Sequence, residues 1–213
     1  MTDVKRRSYD ASGRQERARA NRRAMLAAAI DLLERQGYAS TTLAQVAESA
    51  DVATATAYKA FGNKPALVKA AFDYAAAGDD DPTPIPQRAG AARIMAEPDP
   101  TKKLEIYTMG MIERLGRVAR LHLIARAAAE VDPEMAEVRD QIEQDRLRGM
   151  AILATHLADG GHLRTDVGKA EARDVLWTYN SPELFELLVI NRGWSRGRYR
   201  AWVHRALVSA LLP

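Results

Sequence analysis

Apolar residues recur at steps of three and four along most of this chain, and runs of β-branched residues are scarce. Alanine is abundant, so the pattern predicts an all-α protein of about nine to ten helices. Leu26, Ile30 and Leu33 form the buried stripe of a helix expected from about Arg14 to Gln36, with Gly37 as its C-cap. Thr42 then precedes Leu43, Val46 and Ala47, with Gln45 three residues on, a capping-box arrangement at a helix start. That pattern halts at Asp51-Val52-Ala53, and a second short helix begins near Thr54, with Ala57 and Phe61 facing inward four residues apart. Two short helices joined by so tight a turn match the helix-turn-helix, whose second helix enters the DNA major groove.

Gly62-Asn63-Lys64-Pro65 reads as a turn into a linking helix over 65–77. Gly78 to Pro86, with three acids and three prolines, reads as a loop or domain boundary. Asp99-Pro100 and Asp132-Pro133 each pair an N-cap with an N1 proline. Residues 101–131 are expected to hold two helices broken near Gly116, and 133–158 one long amphipathic helix stopped by Gly160-Gly161. Further helices are expected over about 168–180, after Ser181-Pro182, and from Ser195 onward. The apolar face of the last one is wide enough for burial against a partner or in an ordinary core.

Composition narrows the classes. With 47% hydrophobic residues and no cysteine, a globular core is expected and a thiolate metal site or disulfide framework is excluded. No apolar run approaches the roughly 18 residues of a membrane span, and the basic N-terminus lacks a signal peptide's apolar segment, so a cytoplasmic protein is expected. Charge is uneven. Residues 1–78 hold 12 Lys/Arg against 8 Asp/Glu, whereas the remainder hold 19 against 20. The first part thus suits contact with a polyphosphate. Residues 1–13, with Lys5-Arg6-Arg7, are expected to be a basic flexible arm, either reaching a minor groove or idle.

Residues 20–70 resemble the DNA-binding domain of the TetR (tetracycline-repressor) family. The helix ending at Gly37-Tyr38, then Thr41-Thr42, Val46-Ala47, Val52, Thr56, Tyr58, Phe61, Lys64 and Leu67 carry the resemblance in order and spacing. Gly161-His162-Leu163-Arg164, Trp177, Ser181-Pro182-Glu183-Leu184 and Arg192-Gly193-Trp194-Ser195 resemble one C-terminal variant of the family. The resemblance implies a helix-turn-helix domain over 14–78 and a helical ligand-binding and dimerisation domain over 79–213. It also implies a homodimeric repressor, bound to a palindromic operator and released by a small molecule. On that basis Thr54, Ala55 and Thr56 reach base edges, while Thr42, Tyr58, Lys59 and Lys64 hold phosphates. The sequence departs from the family pattern at Asp51, where the turn commonly has glycine, and at Ala53, whose lost cap would shift to Thr54. Ala55, Ala57 and Ala60 are further departures, and the base contacts follow the pattern less closely as a result.

The threonine hydroxyls can bond base edges, and the methyls of Ala53, Ala55, Thr54 and Thr56 can pack on thymine methyls. A recognition helix read through methyl contacts and DNA shape is therefore expected. Tyr107, Met111, His122, Trp177 and Phe185 are candidates to line a largely apolar effector pocket, each with core packing as its plain alternative. Dimerisation is expected through helices over 168–191 and 195–212, with Trp202 and Leu207 as candidate contributors. His122, His156, His162 and His204 show no metal-ligand spacing, and no phosphate loop is present, so neither an enzyme, a cofactor nor a metal is expected. The alternative is a ligand-responsive helical interaction module without specific DNA binding.

Overall fold

A computed structural model describes the backbone of residues 3–213, and side chains from Gly13 onward. The chain is all-helical, with no strand among the described residues. It divides into two units, Met1–Tyr74 and Ala75–Pro213.

In the first unit, α1 (Asp3–Ser40) is helical from Asp3, where the sequence suggests an arm. The side chains of Lys5, Arg6 and Arg7 lie outside the described residues. Gly37 interrupts α1 with φ 76 and ψ 178, the left-handed break expected of a glycine ending a helix. Three more helices follow: α2 (Leu43–Ser49), α3 (Thr54–Phe61) and α4 (Lys64–Ala77). The Asn63 carboxamide accepts from the Ala66 N–H at 2.9 Å, so α4 starts one residue before Pro65. Met25, Leu26 and Ala29 of α1 pack with Val46, Ala47, Ala57, Phe61 and Leu67 into one core. Ala57 and Phe61 are the inward positions that the spacing predicts.

The second unit contains α5 (Ala89–Ala96), α6 (Pro100–Ala129), α7 (Pro133–Asp159), α8 (Lys169–Tyr179), α9 (Pro182–Phe185) and α10 (Arg196–Leu211). Asp99, Asp132, Ser181 and Ser195 each accept from N–H groups of the first turn they cap, as the sequence indicates. The break expected near Gly116 does not occur. α6 continues for 30 residues because Ile112, Leu115, Val118 and Ala119, on both sides of the glycine, are all buried. α9 passes directly into a π-helical run, Glu186–Asn191, which turns Leu187 and Ile190 outward while Phe185 stays buried.

The core is built around α6 and α10. Tyr199, Val203, Leu207 and Leu211 are completely buried there, so Leu207 belongs to the protomer's own interior rather than to a partner-facing surface. Trp202 is partly covered, edge-on to Tyr179 and Trp194 with ring centroids 5.7 and 6.1 Å away. Two arginines take the carbonyls at the end of α4. Arg117 donates to Ala75 and Ala76 at 2.8 and 3.2 Å, and Arg88 to Ala77 at 3.3 Å. Arg88 also holds the Thr83 and Asp81 carbonyls at 2.8 Å, which fixes the acidic, proline-rich loop. Lys103 is buried, and its ammonium donates to the Ile94 and Met95 carbonyls at 2.8 and 3.1 Å, closing the C-terminus of α5.

Candidate nucleic-acid interface

Thr42 starts α2 with a reciprocal capping box. Its hydroxyl accepts from the Gln45 N–H at 3.2 Å, and the Gln45 side chain accepts from the Thr42 N–H at 2.9 Å. The expected phosphate contact therefore falls on a hydroxyl already engaged at its own helix start. The connection between α2 and α3 turns on Asp51, the only non-glycine among the described residues with positive φ, at 53°. The Val52 N–H returns to the Ala47 carbonyl at 2.9 Å and closes the turn.

α3 begins at Thr54 with Ala53 as its N-cap, and no side chain caps it. The shift of the cap to Thr54 expected from the sequence does not occur, because Thr54 is itself the first helical residue. Thr54, Ala55, Tyr58 and Lys59 are exposed, Tyr58 to 53%, whereas Thr56 is half-buried. Four of the expected DNA-contact residues thus stand on one exposed helix whose other side is fixed by Ala57 and Phe61.

Lys64 stands apart from them. Its ammonium lies 3.9 Å from the centroid of the Tyr38 ring and donates to the Ala39 carbonyl at 3.3 Å. In this arrangement it ties the start of α4 to the last turn of α1, beyond the break at Gly37. Arg22 is the residue that pattern reading passed over. Its guanidinium stands 4.7 Å from the Phe61 centroid and donates to the Ala60 carbonyl at 3.3 Å, a cation at the C-terminal end of α3. Only its place in a basic run was visible beforehand, since its partners lie almost forty residues on.

Residues 25–71 match the family model of bacterial regulatory proteins, tetR family. Residues 25–71 thus carry the likeness to the DNA-binding domain of that family. Solved structures with the same fold include a TetR-family transcriptional regulator from Rhodococcus sp. at 15% identity and TM-score 0.72, covering 90% of this chain and 98% of that one. The transcriptional regulator FadR from Bacillus subtilis, in complex with stearoyl-CoA, aligns at 18% identity and TM-score 0.68 over 87% and 97%. NalD, the secondary repressor of the MexAB-OprM multidrug efflux pump in Pseudomonas aeruginosa, aligns at 18% identity and TM-score 0.67 over 92% and 98%. At such identities the likeness establishes the fold. No curated protein sequence matches the chain.

The second unit holds a cavity of about 510 Å³ bounded by α6, α7, α8 and α9. Of the effector-site candidates, His122 and Trp177 line it. Tyr107, Met111 and Phe185 are instead packed in the core, Tyr107 donating its hydroxyl to the Met150 sulfur at 3.0 Å. At the cavity wall, buried His122 places Nε2 3.3 Å from a Glu183 oxygen and 3.4 Å from a Glu143 oxygen. Glu183 also accepts from Ser181 Oγ at 2.7 Å and Arg126 Nη1 at 2.8 Å. The His122 contact above all holds the Glu183 carboxyl well below the usual carboxylate range. No described helix is long and apolar enough to cross a membrane.

Proposed function

We propose that the chain is a TetR-family regulator and acts as a homodimeric repressor. Its α3 helices enter successive major grooves of a palindromic operator, and a small molecule bound in the second unit releases it. The reading rests chiefly on one observation: α3 offers Thr54, Ala55, Tyr58 and Lys59 outward, on a helix whose first turn takes no cap from its own side chains. Phosphates supply most of the affinity at such an interface and fix the register, and in this reading exposed Tyr58 and Lys59 contact them. Thr54, Ala55 and the methyl of Thr56 supply base contacts dominated by thymine methyls. Thr42 and Lys64 approach phosphate through the ends of α2 and α4.

Exposed Leu187 and Ile190 place apolar surface on the helices after residue 168, which supports a partner there. Repression has its parallel in NalD, a secondary repressor, and the binding of a small molecule in FadR, which is in complex with stearoyl-CoA. Ligand and DNA must favour different conformations for release to occur. α4 runs unbroken from the helix-turn-helix to the carbonyls held by Arg117 and Arg88, which gives such a difference a continuous element to act through.

The test is a selection of random duplexes by the purified protein, combined with its mass in solution. A dimer that enriches an inverted repeat, its half-sites about 34–36 Å apart or a multiple of that, supports the proposal. A monomer, or a pool without a common repeat, overturns it and leaves a helical interaction module.

A further inference from the structure

The cavity beside Trp177 carries more positive than negative charge. Arg126, Arg139 and Arg146 line it against two carboxylates, Glu143 and Glu183. Both carboxylates are already engaged. Glu143 receives Arg146 Nη1 on its two oxygens at 2.8 and 2.7 Å, and Glu183 receives Arg126, Ser181 and His122. The guanidiniums are engaged less fully. Arg126 gives Glu183 one nitrogen at 2.8 Å, and its side chain is 55% exposed where it lines the cavity. Arg139 meets Asp140 through Nε and one terminal nitrogen, and its side chain is one third exposed.

Trp177 supplies the other half of the site. The residue is 36% exposed, and the Arg146 guanidinium lies 5.4 Å from its ring centroid. Arg146 is held there by donating to the Trp177 and Asn180 carbonyls as well as to Glu143. The indole is thereby braced as a fixed apolar wall, with Leu184 also lining the hollow. A volume of about 510 Å³ suits a ligand of one to three rings.

We propose that this cavity binds a flat aromatic carboxylate, its ring on Trp177 and its anionic group on the cavity-lining guanidiniums of Arg126 and Arg139. Arg forks match a carboxylate in geometry as well as in charge. A cationic ligand would have to displace Arg126 or Arg146 from a carboxylate before gaining a counter-ion. The inference rests on the effector reading only in its consequence: occupancy of the cavity is what would release DNA. Binding itself is measured without DNA.

The probes are 1-naphthoate, its neutral isostere 1-naphthamide, and 1-naphthylmethylammonium, titrated into the full-length protein by calorimetry. Naphthoate is expected to bind about tenfold or more tightly than the amide, the difference made by a charge-assisted hydrogen bond. Arg139→Gln and Arg126→Gln should each erase most of that preference. Arg139→Gln leaves the His122 cluster intact, so it decides the matter if Arg126→Gln fails to fold. Trp177→Ala should weaken both neutral and anionic probes. Equal binding of naphthoate and amide, tighter binding of the ammonium, no binding of any probe, or a preference unchanged in Arg139→Gln would each overturn the proposal. Naphthoate that binds as expected but leaves the operator complex intact upholds the site and overturns the effector reading.

Discussion

Gly116 of α6 and Arg196 of α10 occupy a single space: a β-carbon at 116 would stand 2.7 Å from the Arg196 guanidinium carbon. The glycine that reads as a helix break is thus a seat for a side chain from another helix. Two effects compete in Gly116→Ala. Alanine favours a helix interior by about 1 kcal/mol over glycine, while the arginine must move its far end, a small cost for a long flexible side chain. The expected result is a chemical-denaturation stability raised by up to about 1 kcal/mol. A loss of that size instead would mean that the Arg196 position is fixed by more than its own chain.

Asp51 sits at φ 53 in the turn between α2 and α3, where an L-residue is strained by roughly 1–2 kcal/mol and aspartate somewhat less. Asp51→Gly relieves that strain and gives back about 0.4–1 kcal/mol through the more flexible unfolded chain. A net gain near 0.5 kcal/mol is expected, whereas Asp51→Ala should lose stability. Urea titrations of the two variants check the order glycine, aspartate, alanine. The reverse order would refute the strain.

How far the chain could be read in advance follows from the range of each interaction. Thr42 and Gln45 are three residues apart, and Ala57 and Phe61 four, so capping and inward faces are local facts written in the spacing. The carbonyls taken by Arg117 lie more than forty residues upstream, and no local pattern announces them. Helix α5, AGAARIMA, has no buried residue and no side-chain cap, so neither periodicity nor a start signal marked it. The effector candidates show the same limit. Aromatic and methionine side chains suit a pocket, but Tyr107, Met111 and Phe185 are just as suited to a core, and depth is set by tertiary packing. The arginines and glutamates of the cavity read as solvated helix faces until α6, α7 and α9 bring them onto His122.

Tyr58 and Lys59 separate the DNA reading from a purely structural role for α3. Both are exposed and neither belongs to the core around Phe61, so substitutions there should leave folding and assembly unchanged. Lys59→Ala should weaken operator binding and reduce the slope of log K against log salt by about 0.9 per protomer, the value for one neutralised phosphate. Tyr58→Phe should weaken binding with little change in slope, because it removes a hydrogen bond and no charge. Fluorescence anisotropy across a salt series measures both. An unchanged slope in Lys59→Ala would remove that residue from the phosphate-contacting set.

Glu183 gives the second unit a defined acid limit. Its carboxyl titrates well below its ordinary 4.5, chiefly through the hydrogen bond with His122 and next through Ser181, against the opposing cost of burial. A carboxyl held low in the folded state binds fewer protons there than in the unfolded chain. Its stabilisation is therefore complete above the unfolded value and is lost as pH falls through the folded one. Glu183→Gln keeps the shape but not the charge, so it should melt lower than the parent at pH 7. The gap should narrow steadily below about pH 4.5, as the parent's own carboxylate becomes protonated in the unfolded chain. Thermal unfolding from pH 3 to 7 reads both curves. A gap that stays constant across this range would show that the carboxylate's charge does not support the fold and that His122 is held by shape alone.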